Sequence, residues 1–389
     1  VPAPARLLAR DLREIARGLE RSEVRFLVDY YYSQQENRKS AANQVRAATA
    51  AGETVRMIEW LSSLEQALEG QIRSSLDTWT LGQPESRWAR SQIGIGPVIA
   101  AGLAAHINIE RTLSVSRLWR FAGQDPTMEW AGTNAARELI QGAFEAEETP
   151  ARAVAWLARA THRHATDLWE AQGVLVPTRD QAIDVIQEVA GCDRSEVRDL
   201  FAERQLHLDN AILHAVDQLG LDAWETYEAL FPTDRAQVDK NKLRQYLARR
   251  PWNARLKVLC WKIGESFVKV SGNPDSFYSK IYLAAKLEYI RRNESGQYRE
   301  EAASTLRRKN IGEDTTARGR LEKGFLPDAQ IHGRAKRKAV KIFLSHYWNV
   351  AYELHHGTRA PNPWIIQFGG HQDLIPIPNW PMADARPPL

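Results

Sequence analysis

A chain of 389 residues with 43% hydrophobic content is long enough for two or three domains, and apolar enough to exclude wholesale disorder. A net charge of only +4 against 26% charged residues does not identify a partner, so the local distribution of charge has to. The two cysteines, Cys192 and Cys260, lack CxxC spacing, so neither a zinc site nor a disulfide framework is implied. No apolar run reaches the ~18 residues of a membrane span, and Val1-Pro2-Ala3-Pro4 lacks a signal-peptide core. A soluble cytoplasmic protein is therefore expected.

Residues 7 to 48 read as one long amphipathic helix, with Leu7, Leu8, Leu12, Ile15, Leu19, Phe26 and Leu27 at helical spacing. Gly52 interrupts it. A second helix over 54 to 79 carries Val55, Ile58, Leu61, Leu64, Leu68, Ile72 and Leu76. The short link predicts an antiparallel helical hairpin of coiled-coil type, which also offers a dimerisation surface.

Next come Arg87-Trp88-Ala89-Arg90 and the turn Ser91-Gln92-Ile93-Gly94-Ile95-Gly96-Pro97-Val98. The apolar-Gly-apolar-Gly-Pro pattern leading into a small-residue helix is that of a helix-hairpin-helix. Gly94 and Gly96 permit φ > 0, and Pro97 suits the first helical turn. The free N–H groups at such a helix start favour an anion. Two readings stay open on spacing alone: a phosphate cradle using backbone N–H groups at Gly94, Gly96 and Val98, or a tight turn packed between helices. His106 has no partner at metal-ligand spacing.

From about 134 to 236 the chain is a run of shorter amphipathic helices punctuated by Pro150, Pro177 and Pro232. Asp180–Ala190 and Arg194–Glu203, joined at Gly191-Cys192-Asp193, have helix-turn-helix length, and Asp193 with Glu196 has capping-box spacing. His162 and His164 stand at i, i+2 and face apart on a helix, which argues against a shared metal.

The chain turns basic at Lys240, Lys242, Arg244, Arg249 and Arg250. Leu256 to Phe267 reads as an apolar helix with a cationic side, and residues 294 to 324 read as an exposed, charged stretch ordered by a ligand. After Asp328, Arg334, Arg337, Lys338 and Lys341 fall at i, i+3, i+4 and i+7 on one helical face. Lys336 stands among them, and Ala335, Ala339, Ile342 and Phe343 form the apolar stripe. With no acidic residue interleaved, a polyanion is the natural partner. The tail beyond Gly357 is rich in Pro and Trp, including Pro363, Trp364, Pro376, Pro378 and Trp380, and is expected to lie extended along the surface.

Residues Ile95 to His106 resemble the opening of the Nop domain of box C/D ribonucleoproteins, with a Gly-Pro step, a small-residue helix and a His. Gly123-Gln124-Asp125 stands where that family carries Gly-Ala-Glu-Lys. Tyr278-Ser279-Lys280-Ile281-Tyr282 is similar to the family's Lys-containing segment. Gly333-Arg334-Ala335-Lys336-Arg337-Lys338-Ala339-Val340-Lys341 resembles its closing basic helix. Bridge-RNA-guided transposases share the hairpin motif. The overall pattern is most similar to the Tas proteins of tandem interspaced guide RNA systems. It covers roughly residues 7–135 and 237–356.

The resemblance implies a mainly α fold. A helical hairpin (1–82) precedes a Nop-like domain in two parts (83–135 and 237–356), with a helical insertion (136–236) and a tail (357–389). It implies a guide-RNA-binding protein that forms an RNA-guided DNA-targeting ribonucleoprotein in a prokaryotic or phage-infected cell. The implied partners are guide RNA, target double-stranded DNA, a second copy of the chain and a nuclease acting in trans. Arg334, Lys336, Arg337, Lys338 and Lys341 are the candidate phosphate contacts, with Lys280, Tyr278 and Tyr282 supporting RNA beside them. No catalytic residue, metal or cofactor is expected. Where a recombinase serine would sit, the chain reads Trp130-Ala131-Gly132, and Ser271-Gly272 adjoins no base or acidic cluster. A transposase or recombinase relative, and a box C/D-like scaffold that recruits a modifying enzyme, are the alternatives.

Overall fold

The structure is a computed structural model. It describes residues 10–53, 56–126, 130, 132–202, 207–231, 238–362 and 374–382. Among these residues there are nineteen helices and no strand, so the chain is mainly α. It divides into two compact units, one formed by Val1–Gln124 with Asn253–Leu389 and the other by Asp125–Trp252.

The first unit opens with α1 (Arg10–Arg17), α2 (Arg21–Ala50), α3 (Arg56–Leu81), α4 (Pro84–Arg90), α5 (Pro97–His106) and α6 (Val115–Phe121). The single helix expected over 7–48 is broken between α1 and α2. Gly18 is a poor helix residue, and Glu20 restarts the helix with a capping box in which its own N–H donates to Glu23 Oε2 at 2.9 Å. Trp79 Nε1 donates to the Leu19 carbonyl at 2.9 Å, and Arg38 Nε donates to Glu69 Oε2 at 2.7 Å. These contacts run α2 and α3 antiparallel.

Helix α5 is almost wholly enclosed. Its Ala101, Ala104 and Ala105 join Val24, Val28, Ile72 and Leu76 in one cluster. Close approach explains the small residues: a Cβ on Gly102 would stand 2.8 Å from Leu259 Cδ2 and 3.4 Å from Val28 Cγ1.

The second unit contains α7 (Gly132–Ala146), α8 (Pro150–Thr161), α9 (Ala165–Gln172), α10 (Arg179–Ala190), α11 (Arg194–Ala202), α12 (Leu208–Gln218), α13 (Ala223–Leu230) and α14 (Lys240–Ala248). Leu157, Leu168, Trp169, Ile186, Phe201, Ile212 and Leu243 lie in its core. The unit is wider than the insertion expected at 136–236, because its two ends are joined. Trp130 Nε1 donates to the Ala248 carbonyl at 2.7 Å. The cation of Arg250 lies 4.9 Å from the Trp130 ring centroid, and that of Lys240 lies 4.6 Å from the Phe144 centroid. The basic stretch at 240–250 therefore belongs here. The capping box in this unit joins Thr178 and Gln181 at the start of α10, while the Asp193 carboxylate takes the Ser195 N–H and hydroxyl at 2.7 and 2.6 Å.

The chain re-enters the first unit at Asn253, whose N–H donates to the Phe121 carbonyl at 2.8 Å. It continues as α15 (Ala254–Lys269), α16 (Phe277–Glu294), α17 (Arg299–Arg308), α18 (Thr316–Glu322) and α19 (Asp328–His356). Trp88, Leu118, Ile263, Phe267, Tyr278, Phe343, Tyr347 and Trp348 fill the main core. The stretch expected to need a ligand for order instead forms α17 and α18, which close a small core of Ala302, Leu321, Leu326 and Ile331. Asn293 fastens it, donating to the Leu326 carbonyl at 3.0 Å and accepting the Leu326 N–H at 2.9 Å.

In the tail, the Pro378 carbonyl accepts from Trp88 Nε1 at 2.9 Å, and Trp380 Nε1 donates to Glu353 Oε2 at 2.8 Å. Pro363 and Trp364 lie outside the described residues. Among the described residues no helix is long and apolar enough to cross a membrane.

Candidate nucleic-acid interface

Helix α19 is 29 residues long and buries Ala335, Ala339, Val340, Phe343 and Leu344 along one side. That side follows the expected apolar stripe, except that Ile342 is only partly buried. The burial turns the cations of 334 to 341 outward, and neighbouring helices then sort them into two groups.

Arg334 forms an ion pair with Glu301 of α17, and its guanidinium lies 4.9 Å from the Tyr298 ring centroid. Lys336 forms an ion pair with Glu265 of α15 and is largely enclosed. Two of the five cations thus serve packing, which corrects the expectation of an uncompensated cationic face. The acids were invisible in the local sequence because they arrive from other helices.

Arg337 and Lys338 are exposed. The Lys338 ammonium lies 6.0 Å from the Tyr289 ring centroid, and that of Lys341 lies 4.0 Å from the Trp119 centroid. Trp119 Nε1 also donates to the Lys341 carbonyl at 3.0 Å, which orients the indole beneath the ammonium. Such a contact contributes about 0.5–2 kcal/mol, depending on desolvation. Glu265 and Glu301 thus answer two of the five cations, and Arg337 and Lys338 are the two that stand exposed to solvent. The surrounding cations also act on His332: its pKa is lowered by desolvation and then by Lys336 and Lys286.

The two candidate tyrosines lie elsewhere. Tyr278 and Tyr282 are buried. Tyr278 stacks on Phe267 at 5.1 Å and meets Phe343 edge-on at 5.1 Å; burial raises its phenol well above the ordinary range. The Tyr282 hydroxyl lies 2.8 Å from His332 Nδ1. Both ring faces are occupied by protein, so their expected contact with RNA is corrected to a packing role. Lys280, between them in sequence, is exposed, since neighbours two apart on a helix face different ways.

At the hairpin turn, the Gly94 carbonyl accepts from Ser266 Oγ of α15. Gly94 has φ +98°, and a Cβ there would stand 3.2 Å from Val270 Cγ2. Gly96 does not need left-handed backbone: its φ is −90°. The Val98 side chain is buried, and the first intrahelical bond of α5 runs from Ala100 N–H to the Gly96 carbonyl. The Val98 N–H therefore has no acceptor within its own helix. The turn is packed against α15 through Gly94 and exposed at Gly96.

Sequence reasoning passed over two aromatic residues. Trp119 becomes notable only through its contact with Lys341. Trp261 of α15 is 56% exposed, with the Lys262 ammonium 5.5 Å from its ring centroid. Trp261 and Glu265 stand at i, i+4 on one face, and Glu265 holds Lys336, so the exposed indole shares the α15 face that reaches α19. Its signal was a tryptophan at an outward position of an otherwise apolar helix. Nearby, a groove of about 260 Å³ is lined by Asp29, Tyr32, Glu36, His106, Arg255 and Lys262. Arg255 pairs with Asp29 at 3.4 Å, and desolvation lowers the Lys262 pKa. Cys260, behind this face, is fully buried, and burial pushes its thiol up to about 12, which makes it an unreactive core residue.

No family model, curated protein or solved structure matches the chain.

Proposed function

We propose that this chain binds a structured RNA through the α19 face and uses it as the guide of a DNA-targeting ribonucleoprotein. The observation that carries the RNA-binding half is the pair of exposed cations Arg337 and Lys338 on the outer face of α19. Exposed cations attract a phosphate backbone, and the exposed indole of Trp261 on α15 supplies a stacking platform. Lys280 adds a further cation on α16, and the Gly96–Val98 edge adds backbone donors. Folded RNA is recognised by such phosphate, 2′-OH and stacking contacts.

The guided half rests on the resemblance to Tas and box C/D Nop proteins. Pairing between RNA and DNA supplies sequence specificity in such complexes, while the protein holds the backbone. Strand cleavage is then the task of a nuclease in trans, within the cytoplasm of a prokaryotic cell. A homodimer through α2 and α3 belongs to the same reading. Its support is the set of exposed apolar side chains there, including Phe26 at 66% and Met57 at 67%.

The test is to purify the chain from cells carrying its native flanking DNA and to sequence the RNA that remains bound. A discrete short RNA of repeated architecture supports the reading. Random fragments, or no RNA, overturn it.

A further inference from the structure

In the second unit, the N-termini of α9 and α12 meet. Each begins on a histidine N-cap, His164 for α9 and His207 for α12. Asp209, in the first turn of α12, is buried between them, with its side chain 4% exposed. Among the described residues, these three form the one group of His, Cys, Asp or Glu side chains placed to hold a metal ion, with donor atoms all within 4.8 Å of one another.

We infer that His164, His207 and Asp209 form a binding site for a divalent first-row transition metal such as Zn²⁺, with one coordination position left to solvent. The donors are His164 Nδ1, His207 Nδ1 and Asp209 Oδ2. Asp209 Oδ2 lies 3.7 Å from the first and 3.3 Å from the second. Ligands about 2.1 Å from a tetrahedral ion stand about 3.4 Å apart, so only a small closure is needed. The rings stack at 3.8 Å and 15°, and each must turn about its Cβ–Cγ bond for both lone pairs to converge. That torsion is soft for histidine.

The surroundings have the form of a supporting shell. Thr166 Oγ1 donates to Asp209 Oδ2 at 2.5 Å, and the Tyr227 hydroxyl donates to Oδ1 at 3.2 Å. These bonds fix the carboxylate. His207 Nε2, the nitrogen turned away from the site, lies 3.9 Å from Asp167 Oδ1. A metal-bound imidazole commonly gives its other N–H to a carboxylate in this way. Helix N-termini are positive, so Asp209 and Asp167 supply the negative charge that a dication needs there. The side chains of His164 and His207 are 20% and 29% exposed, which leaves an entry path and a place for water. The sequence concealed the site because His164 and His207 are far apart in the chain, and His162 and His164 drew attention as a pair.

The experiment is a titration of the chelator-treated full chain with Co²⁺, followed by displacement with Zn²⁺. The expected result is uptake of one equivalent of Co²⁺, with visible ligand-field bands that Zn²⁺ abolishes. His164→Gln, at a partly exposed position, and Asp209→Asn are each expected to weaken uptake by 100-fold or more. Asp167→Asn should weaken it by about 10–100-fold, as for other outer carboxylates. If Asp209→Asn fails to fold, His164→Gln alone decides. No uptake by the unaltered chain overturns the site. So does uptake that His164→Gln leaves unchanged, which assigns the ion to other histidines.

Discussion

The Tyr278 hydroxyl donates to His346 Nδ1 across 2.9 Å, deep between α16 and α19. The direction is fixed by the other ring nitrogen. His346 Nε2 lies 3.1 Å from the Ile375 carbonyl, which only accepts, so Nε2 carries the proton and Nδ1 receives one. The imidazole is neutral, and burial pulls its pKa down from 6.5 to about 4.

A pH dependence follows. The unfolded chain takes a proton on this histidine near 6.5, while the folded chain resists until about 4. Stability from this group is complete above 6.5 and falls as pH drops through that window, by up to about 3 kcal/mol. Urea unfolding of the unaltered chain and of His346→Gln should show the acid-side slope reduced in the variant. Equal slopes in both would show that His346 is not the group behind the acid-side loss.

The hairpin turn gives a paired test. Gly94→Ala forces a side chain into left-handed backbone and against Val270 and Ser266, and should cost about 1–3 kcal/mol of stability. Gly96→Ala meets nothing within 4 Å and should stay within about 0.5 kcal/mol of the unaltered chain. Denaturant unfolding distinguishes them, and equal costs would contradict the packing assigned to Gly94.

Trp261 separates stacking from charge. If the exposed indole stacks on a base, Trp261→Ala should lose about 1–3 kcal/mol of RNA affinity without altering the salt dependence. A changed salt slope with no loss at fixed salt would place the base elsewhere.

The hairpin surface is tested by sedimentation equilibrium. The unaltered chain is expected to dimerise, and Phe26→Ser combined with Met57→Ser, both at exposed positions, to shift it toward monomer. A monomer at every concentration before substitution contradicts the dimer.

Periodicity made much of this fold legible. The Leu and Ile spacing of α2 and α3, the small residues of α5 and the apolar stripe of α19 all predicted helices that the structure contains. What escaped was settled by residues distant in the chain. The exposure of a Tyr-x-Lys-x-Tyr segment was undetermined until α19 covered Tyr278 and Tyr282. The cations at Arg334 and Lys336 read as available until Glu301 and Glu265 reached them. The insertion boundary moved because Trp130 and Ala248 close it, a tertiary contact with no local marker. The His164–His207–Asp209 group likewise needs two helix starts to meet.

In the proposed complex Arg337 and Lys338 touch phosphates of the RNA. The most direct measurement is the salt dependence of RNA affinity for the unaltered chain and for Arg337→Gln with Lys338→Gln, using the RNA that copurifies. Two lost phosphate contacts should reduce the slope of log affinity against log salt by about 1.4–1.8. Folding should be unchanged, because both side chains are exposed. An unaltered slope, with RNA still bound, would contradict the claim and move the interface away from α19.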